Sequence, residues 1–174
     1  MSNKLMIRFL FLSIISGVFF TACNDEDNPT TRLNVRMTDD PLANVQEVNI
    51  DLQSIIVITD DGRDSADIGA NAGIYNLLDY QGDLDTLIGS ATINALRIEQ
   101  IRLVLGEENT IMVDSTIHDL KTPSAQQSGL KINVHEDVSD LDVYNLLIDF
   151  DAEKSVVEQG NGNYLLKPVI KVIN

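Results

Sequence analysis

Cys23 is the sole cysteine of the 174-residue chain, and its setting suggests covalent lipid chemistry. It closes the string Phe20-Thr21-Ala22-Cys23, behind a basic start (Lys4, Arg8) and an apolar run from Phe9 to Phe20. Small residues at the two positions before a cysteine are what a lipoprotein signal peptidase requires. The expected chemistry is therefore diacylglycerol transfer to the thiol and removal of residues 1–22. The apolar run is about a dozen residues, short of the roughly 20 that a spanning helix needs. Lipidation consumes the only thiol, so no disulfide is available and the fold must be held by its core.

Behind the cysteine, Asn24-Asp25-Glu26-Asp27-Asn28-Pro29-Thr30-Thr31 contains no apolar residue. Such a stretch cannot bury enough surface to fold and is expected to act as a tether. The organisation read from the sequence is a signal peptide over 1–22, an acylated cysteine with a flexible acidic tether over 23–31, and one domain over 32–174. Asp25, Glu26 and Asp27 resemble the export signal of Bacteroidota-type lipoproteins, where acids directly after the acylated cysteine send the protein to the outer face of the outer membrane. The plainer reading is a solvated linker.

Other side chains suggest weaker chemistry. Lys131 and His135 share the polar face of one expected strand, and Asp149 and Asp151 that of another. If those strands were neighbours the four would form a polar binding cluster; an ordinary exposed ion pair, worth about 0.2–1 kcal/mol, is the simpler alternative. Asp60, Asp61, Asp64 and Asp67 around Gly62 offer the oxygen ligands that calcium takes. Arg63 sits among them, however, and the spacing is not that of an EF-hand loop, so a solvated hairpin tip is preferred and no metal site is assigned. Ser124, His118 and Asp119 supply the side-chain types of a hydrolase triad without a nucleophile-elbow or oxyanion-hole pattern. Two histidines exclude a histidine-rich metal site. Tyr75, Tyr80, Tyr144 and Tyr164 could stack on sugar rings, but aromatics make up only 5% of the chain and tryptophan is absent, which weakens a carbohydrate platform.

The elements that must position these residues have mostly a period of two. Leu33, Val35 and Met37 alternate with Asn34 and Arg36 up to Asp39-Asp40-Pro41, a strand and a turn. Val48, Ile50, Leu52, Ile56 and Ile58 share a parity broken by Ser54, which predicts one long strand or two joined by a bulge near Gln53-Ser54. Asp60-Asp61-Gly62 then closes a hairpin. Tyr75 to Leu78 reads as a short strand. Leu84, Leu87 and Ile88 have helical spacing, which predicts a short helical turn near 83–90. Ile101, Leu103 and Leu105, then Ile111 and Val113, read as a hairpin. Leu130, Ile132 and Val134 form one strand, and Leu146, Ile148 and Phe150 another. Gly160 to Asn163 is a turn, followed by Tyr164, Leu166, Ile170 and Val172 as a last strand, in which Pro168 requires an edge or a bulge. The fold class expected is all-β, an antiparallel β-sandwich of about seven or eight strands.

The charge excludes some partners. Twelve basic against 27 acidic side chains give −15, and cleavage before Cys23 removes Lys4 and Arg8 but no acid. Nucleic acid and anionic membrane surfaces would be repelled.

Leu120-Lys121-Thr122-Pro123-Ser124, Gln127-Ser128-Gly129-Leu130-Lys131, Ile148-Asp149-Phe150-Asp151-Ala152 and Tyr164-Leu165-Leu166-Lys167-Pro168 resemble blocks of a bacterial lipoprotein family catalogued as domain of unknown function 4382. Arg32 to Asp40 and Ile101 to Leu105 resemble its other blocks. Leu96 and Ile98 depart from the glycine and tyrosine expected ahead of the Ile101 block. The resemblance implies an extracytoplasmic β-sandwich lipoprotein and brings no established activity. Taken together, the expectation is a non-enzymatic, surface-anchored binding or structural module of the outer membrane, without cofactor, held by its lipid and accessory to a glycan or adhesion system. The alternatives are a small extracytoplasmic hydrolase and a calcium-stabilised adhesin.

Overall fold

A computed structural model describes residues 30–40, 45–60, 66–122 and 128–173. Two sheets pack face to face, with strands numbered in chain order. The smaller runs β13 (Ile170–Ile173), β10 (Val143–Phe150), β1 (Thr30–Thr38), β5 (Thr86–Asn94). The larger runs β11 (Val156–Gly160), β12 (Asn163–Leu166), β8 (Thr116–Lys121), β7 (Thr110–Val113), β2 (Glu47–Thr59), β6 (Arg97–Leu105), β9 (Leu130–Asp137). The short β3 (Ala66–Asp67) and β4 (Gly73–Asn76) also pair with β2. The sandwich expected from alternation is present, divided into more and shorter strands. Its core is the inward-facing apolar set, including Leu33, Val35, Met37, Ile50, Ile101, Leu103, Ile148 and Phe150, all fully buried. At Gly89 of β5 an added Cβ would lie 2.9 Å from Ile55 Cδ1 of β2, so the two sheets approach closely there because that residue has no side chain.

The bulge expected in β2 lies between Leu52 and Ser54 and changes the reading of its second half. An extra residue reverses which parity faces inward. Val48, Ile50 and Leu52 are buried, and after the bulge the buried residues are Ile55 and Val57, while Ile56 and Ile58 are half-buried. The single-parity reading of Ile56 and Ile58 is thereby corrected.

The predicted hairpin between the Ile101 and Ile111 strands is replaced by another arrangement. β6 pairs with Leu52–Thr59, and β7 with Glu47–Asn49, in the same antiparallel sense. The Gly106 N–H donates to the Asp51 carbonyl (2.8 Å), and the Asp51 N–H donates to Asn109 Oδ1 (2.9 Å), on the same edge. β6 and β7 are therefore one line of chain along β2, interrupted by residues 106–109. That excursion closes over buried polar groups: Asp51 Oδ2 accepts from the Glu108 N–H (3.3 Å) and Asn109 Nδ2 donates to the Gly106 carbonyl (2.7 Å) and to Thr122 Oγ1 (3.3 Å).

Three further readings are corrected. No helical turn occupies 83–90, where β5 begins at Thr86. Ile88 is the extra residue of a bulge opposite Val35 and Arg36, so Leu87 and Ile88 fall on different faces and only imitate helical spacing. The helical turns described are a 3₁₀ turn at Leu77–Tyr80, which takes Leu77 and Leu78 from the predicted strand, and α1 (Ala152–Ser155). The last predicted strand breaks at Pro168: β12 lies in the larger sheet and β13 in the smaller, with Lys167 to Val169 crossing between them. This crossing is held by α1, as Lys167 N–H donates to the Ser155 carbonyl (2.8 Å) and Val169 N–H to Ser155 Oγ (2.8 Å). The expected antiparallel sandwich is present, with two parallel pairs within it, β1 with β10 and β12 with β8.

The domain also begins earlier than expected. Thr30 and Thr31 belong to β1 and not to the tether, and Thr31 is buried with its hydroxyl donating to the Val138 and Leu141 carbonyls (2.9 and 2.8 Å). A hydroxyl satisfied in this way can replace an apolar side chain in a strand. Cys23, Asp25, Glu26 and Asp27 lie outside the described residues, as do Asp61, Asp64 and Ser124.

Candidate functional site

The greatest concentration of buried charge lies where β10 ends. Asp149 is the next-to-last residue of β10 and Asp151 caps α1. Asp39 follows β1, the strand parallel to β10. All three carboxylates are nearly inaccessible. Two lysines compensate them. Lys171 Nζ lies 3.2 Å from Asp149 Oδ2 and 3.8 Å from Asp40 Oδ2, and Lys154 Nζ pairs with Asp151 Oδ2. Lys171 is on β13 directly opposite Asp149, so this pair follows from strand register.

Backbone donors complete the arrangement. Asp151 Oδ1 accepts from the Lys154 N–H (3.0 Å), the capping that starts α1. Asp39 Oδ1 accepts from the Ala152 N–H (2.9 Å). The hydrogen bond from the Lys154 side-chain ammonium is the main cause holding the Asp151 carboxyl below its ordinary value. Asp39 moves the other way, pushed up to about 6 chiefly by burial, with Asp149 and Asp151 adding repulsion against the Ala152 and Gln81 hydrogen bonds. Asp149 Oδ1 is buried and meets no hydrogen-bond donor.

Of the four residues proposed as a polar cluster, the structure therefore keeps Asp149 and Asp151 and separates the other two. Lys131 is on β9 of the larger sheet, exposed and opposite Arg102. His135, also on β9, sits at a bulge with φ 56°. Its Nδ1 lies 2.6 Å from Glu99 Oε2, and Glu99 Oε1 lies 3.0 Å from Arg97 Nε, a surface ion-pair chain. β9 and β10 are not neighbours, which is why the pairing across a ladder does not form. Asp39, Lys154 and Lys171 were the members that the sequence analysis missed. The parity of Lys171 against Ile170 and Val172 was a usable signal, but the pairing of β13 with β10 was not visible.

The remaining candidates are dispersed. His118 and Asp119 are successive residues of β8, and the His118 ring lies 5.1 Å from Tyr164, itself half-buried against the core. Asp60 accepts from the Arg97 N–H (3.2 Å), and Asp67 from the Gly69 N–H (3.1 Å). Among the described residues no group of carboxylates or histidines is disposed to hold a metal ion. Tyr75 and Tyr80 lie 6.3 Å apart. A shallow groove of about 320 Å³ lies beside the buried carboxylates, between Leu147 and Ile173 on one side and Asp83, Leu84 and Asp85 on the other, with Thr38 between.

A family model described as Domain of unknown function (DUF4382) matches residues 30–168. No curated protein and no solved structure matches the chain.

Proposed function

The chain belongs to the family whose model spans residues 30–168, and from that premise we propose that it is a lipid-anchored, surface-displayed lipoprotein whose β-sandwich is a non-enzymatic binding or structural module. The observation that carries the reading is the Phe20-Thr21-Ala22-Cys23 site behind its basic and apolar leader, followed so closely by β1 at Thr30. Acylated at Cys23, the domain stands at the outer membrane, with Asp25, Glu26 and Asp27 as the export signal.

Support for a binding module over a hydrolase comes from how the reactive side chains are used. Asp149 and Asp151 are paired with lysines, and Asp151 also caps a helix turn. His118 packs on Tyr164. The groove over Leu147 and Ile173 is the concave surface where a glycan or an extended peptide would lie.

Metabolic labelling with a fatty-acid probe tests the anchor. The wild-type chain should be labelled and retained in membranes, and Cys23→Ala should be neither. Labelling that persists in Cys23→Ala overturns the reading.

A further inference from the structure

The end of the sandwich from which the tether leaves carries an exposed apolar surface. Leu96, Leu141 and Val143 are 43%, 38% and 50% accessible. Leu96 and Leu141 come from two loops and Val143 opens β10, all tied to the start of β1. The Val138 N–H donates to the Leu96 carbonyl (2.8 Å), and the Leu141 N–H to the Val138 carbonyl (3.1 Å). The Thr31 hydroxyl bonds both the Val138 and the Leu141 carbonyls, and the Arg32 N–H bonds the Asp142 carbonyl (2.9 Å), opposite Val143 in the register. The apolar side chains are thus held within a residue or two of the point where the tether joins the domain.

We infer that this end of the sandwich rests on the lipid bilayer, with Leu96, Leu141 and Val143 entering the headgroup region of a neutral, zwitterionic surface. The inference builds on the lipid anchor at Cys23. The chain between Cys23 and Thr30 can extend at most roughly 25 Å, so an acylated Cys23 keeps this end at the bilayer. The opposite end, where Glu47 of β2 meets Met112 and Met112 meets Ile117, lies about 40 Å further away along the thirteen-residue β2. Asp140 and Asp142 are exposed between the apolar residues and oppose contact with anionic lipid, which selects the neutral surface. Arg32, exposed beside Val143, has a long enough side chain to reach lipid phosphates while its stem lies over the apolar patch. Shallow insertion of a few apolar side chains beside a covalent lipid is a known way to orient an anchored domain.

The full chain acylated at Cys23 has no other thiol, so a cysteine placed at a chosen site can be labelled selectively. Leu141→Cys and Val143→Cys, each carrying an environment-sensitive dye, report on the tethered end. Ile117→Cys, at an even more exposed position of the opposite end, is the control. In phosphatidylcholine vesicles containing nitroxide-labelled lipid, quenching at 141 and 143 should exceed that at 117 by about threefold or more. Equal quenching at all three sites, in protein that is acylated and vesicle-bound, overturns the inference and leaves the anchor standing. Protein that carries no acyl chain and stays in solution overturns the anchor and the inference together.

Discussion

Asp39 and Ala152 are joined by a hydrogen bond of 2.9 Å from backbone N–H to carboxylate, across 113 residues of sequence. The bond fastens the end of β1 to the first turn of α1, in a place where burial has pushed the Asp39 carboxyl from 3.8 up to about 6.

A carboxyl that holds its proton more tightly when folded favours folding by protonation. The stability Asp39 contributes is thus fully present below about pH 3.8 and is lost as pH rises through about 6. The loss is on the order of 2–3 kcal/mol. Asp39→Asn retains an oxygen for the Ala152 N–H and removes the charge. Its urea midpoint should exceed that of wild type at pH 8 and lie close to it at pH 3.5. An equal difference at both pH values would remove the charge argument.

Lys171 is the cation facing Asp149, whose Oδ1 already has no donor. Lys171→Met leaves that buried carboxylate without compensation and should cost about 1–3 kcal/mol at pH 7. Lys131→Met, at an exposed site of the other sheet, should stay within about 0.5 kcal/mol. Equal losses in chemical denaturation would mean that Asp149 does not depend on Lys171.

Gly106 has a close neighbour rather than a special backbone angle. A Cβ there would lie 1.9 Å from Asp51 Oδ2, inside the buried polar knot that interrupts β6 and β7. Gly106→Ala should destabilise by about 1–3 kcal/mol as the carboxylate is forced aside. In a double-mutant cycle with Asp51→Ala the two losses should be less than additive. Full additivity would show that the clash is relieved elsewhere.

Asp25, Glu26 and Asp27 lie ahead of the folded domain, so replacing all three by alanine should leave unfolding and membrane retention unchanged. Accessibility to external protease on intact cells should fall if these acids direct display. Unchanged exposure would make them a solvated linker.

How much could be read beforehand depended on whether the determining contact was local. The alternation of Leu33, Val35 and Met37, and of Leu146, Ile148 and Phe150, identified strands and their inner faces correctly because pleating alone sets that pattern. The bulge in β2 was also legible, but its effect on Ile56 and Ile58 was not applied to the second half of the strand. Leu84, Leu87 and Ile88 misled because a bulged residue produces the same spacing as a helix turn. Lys131 was matched to Asp149 on correct parities but the wrong strand order. Neighbour relations such as β10 with β13 depend on the whole chain, and no local pattern announced that Pro168 would carry the chain from one sheet to the other.

Because β1 occupies an interior position of the smaller sheet, flanked by β5 and by the distant β10, the order of synthesis matters. β1 has one side unsatisfied until Val143–Phe150 has followed, and Asp39 has no Ala152 to bind until later still. Such remote closure is entropically slow to begin. A product truncated before β10 would expose the edge of β1 to pairing with other chains.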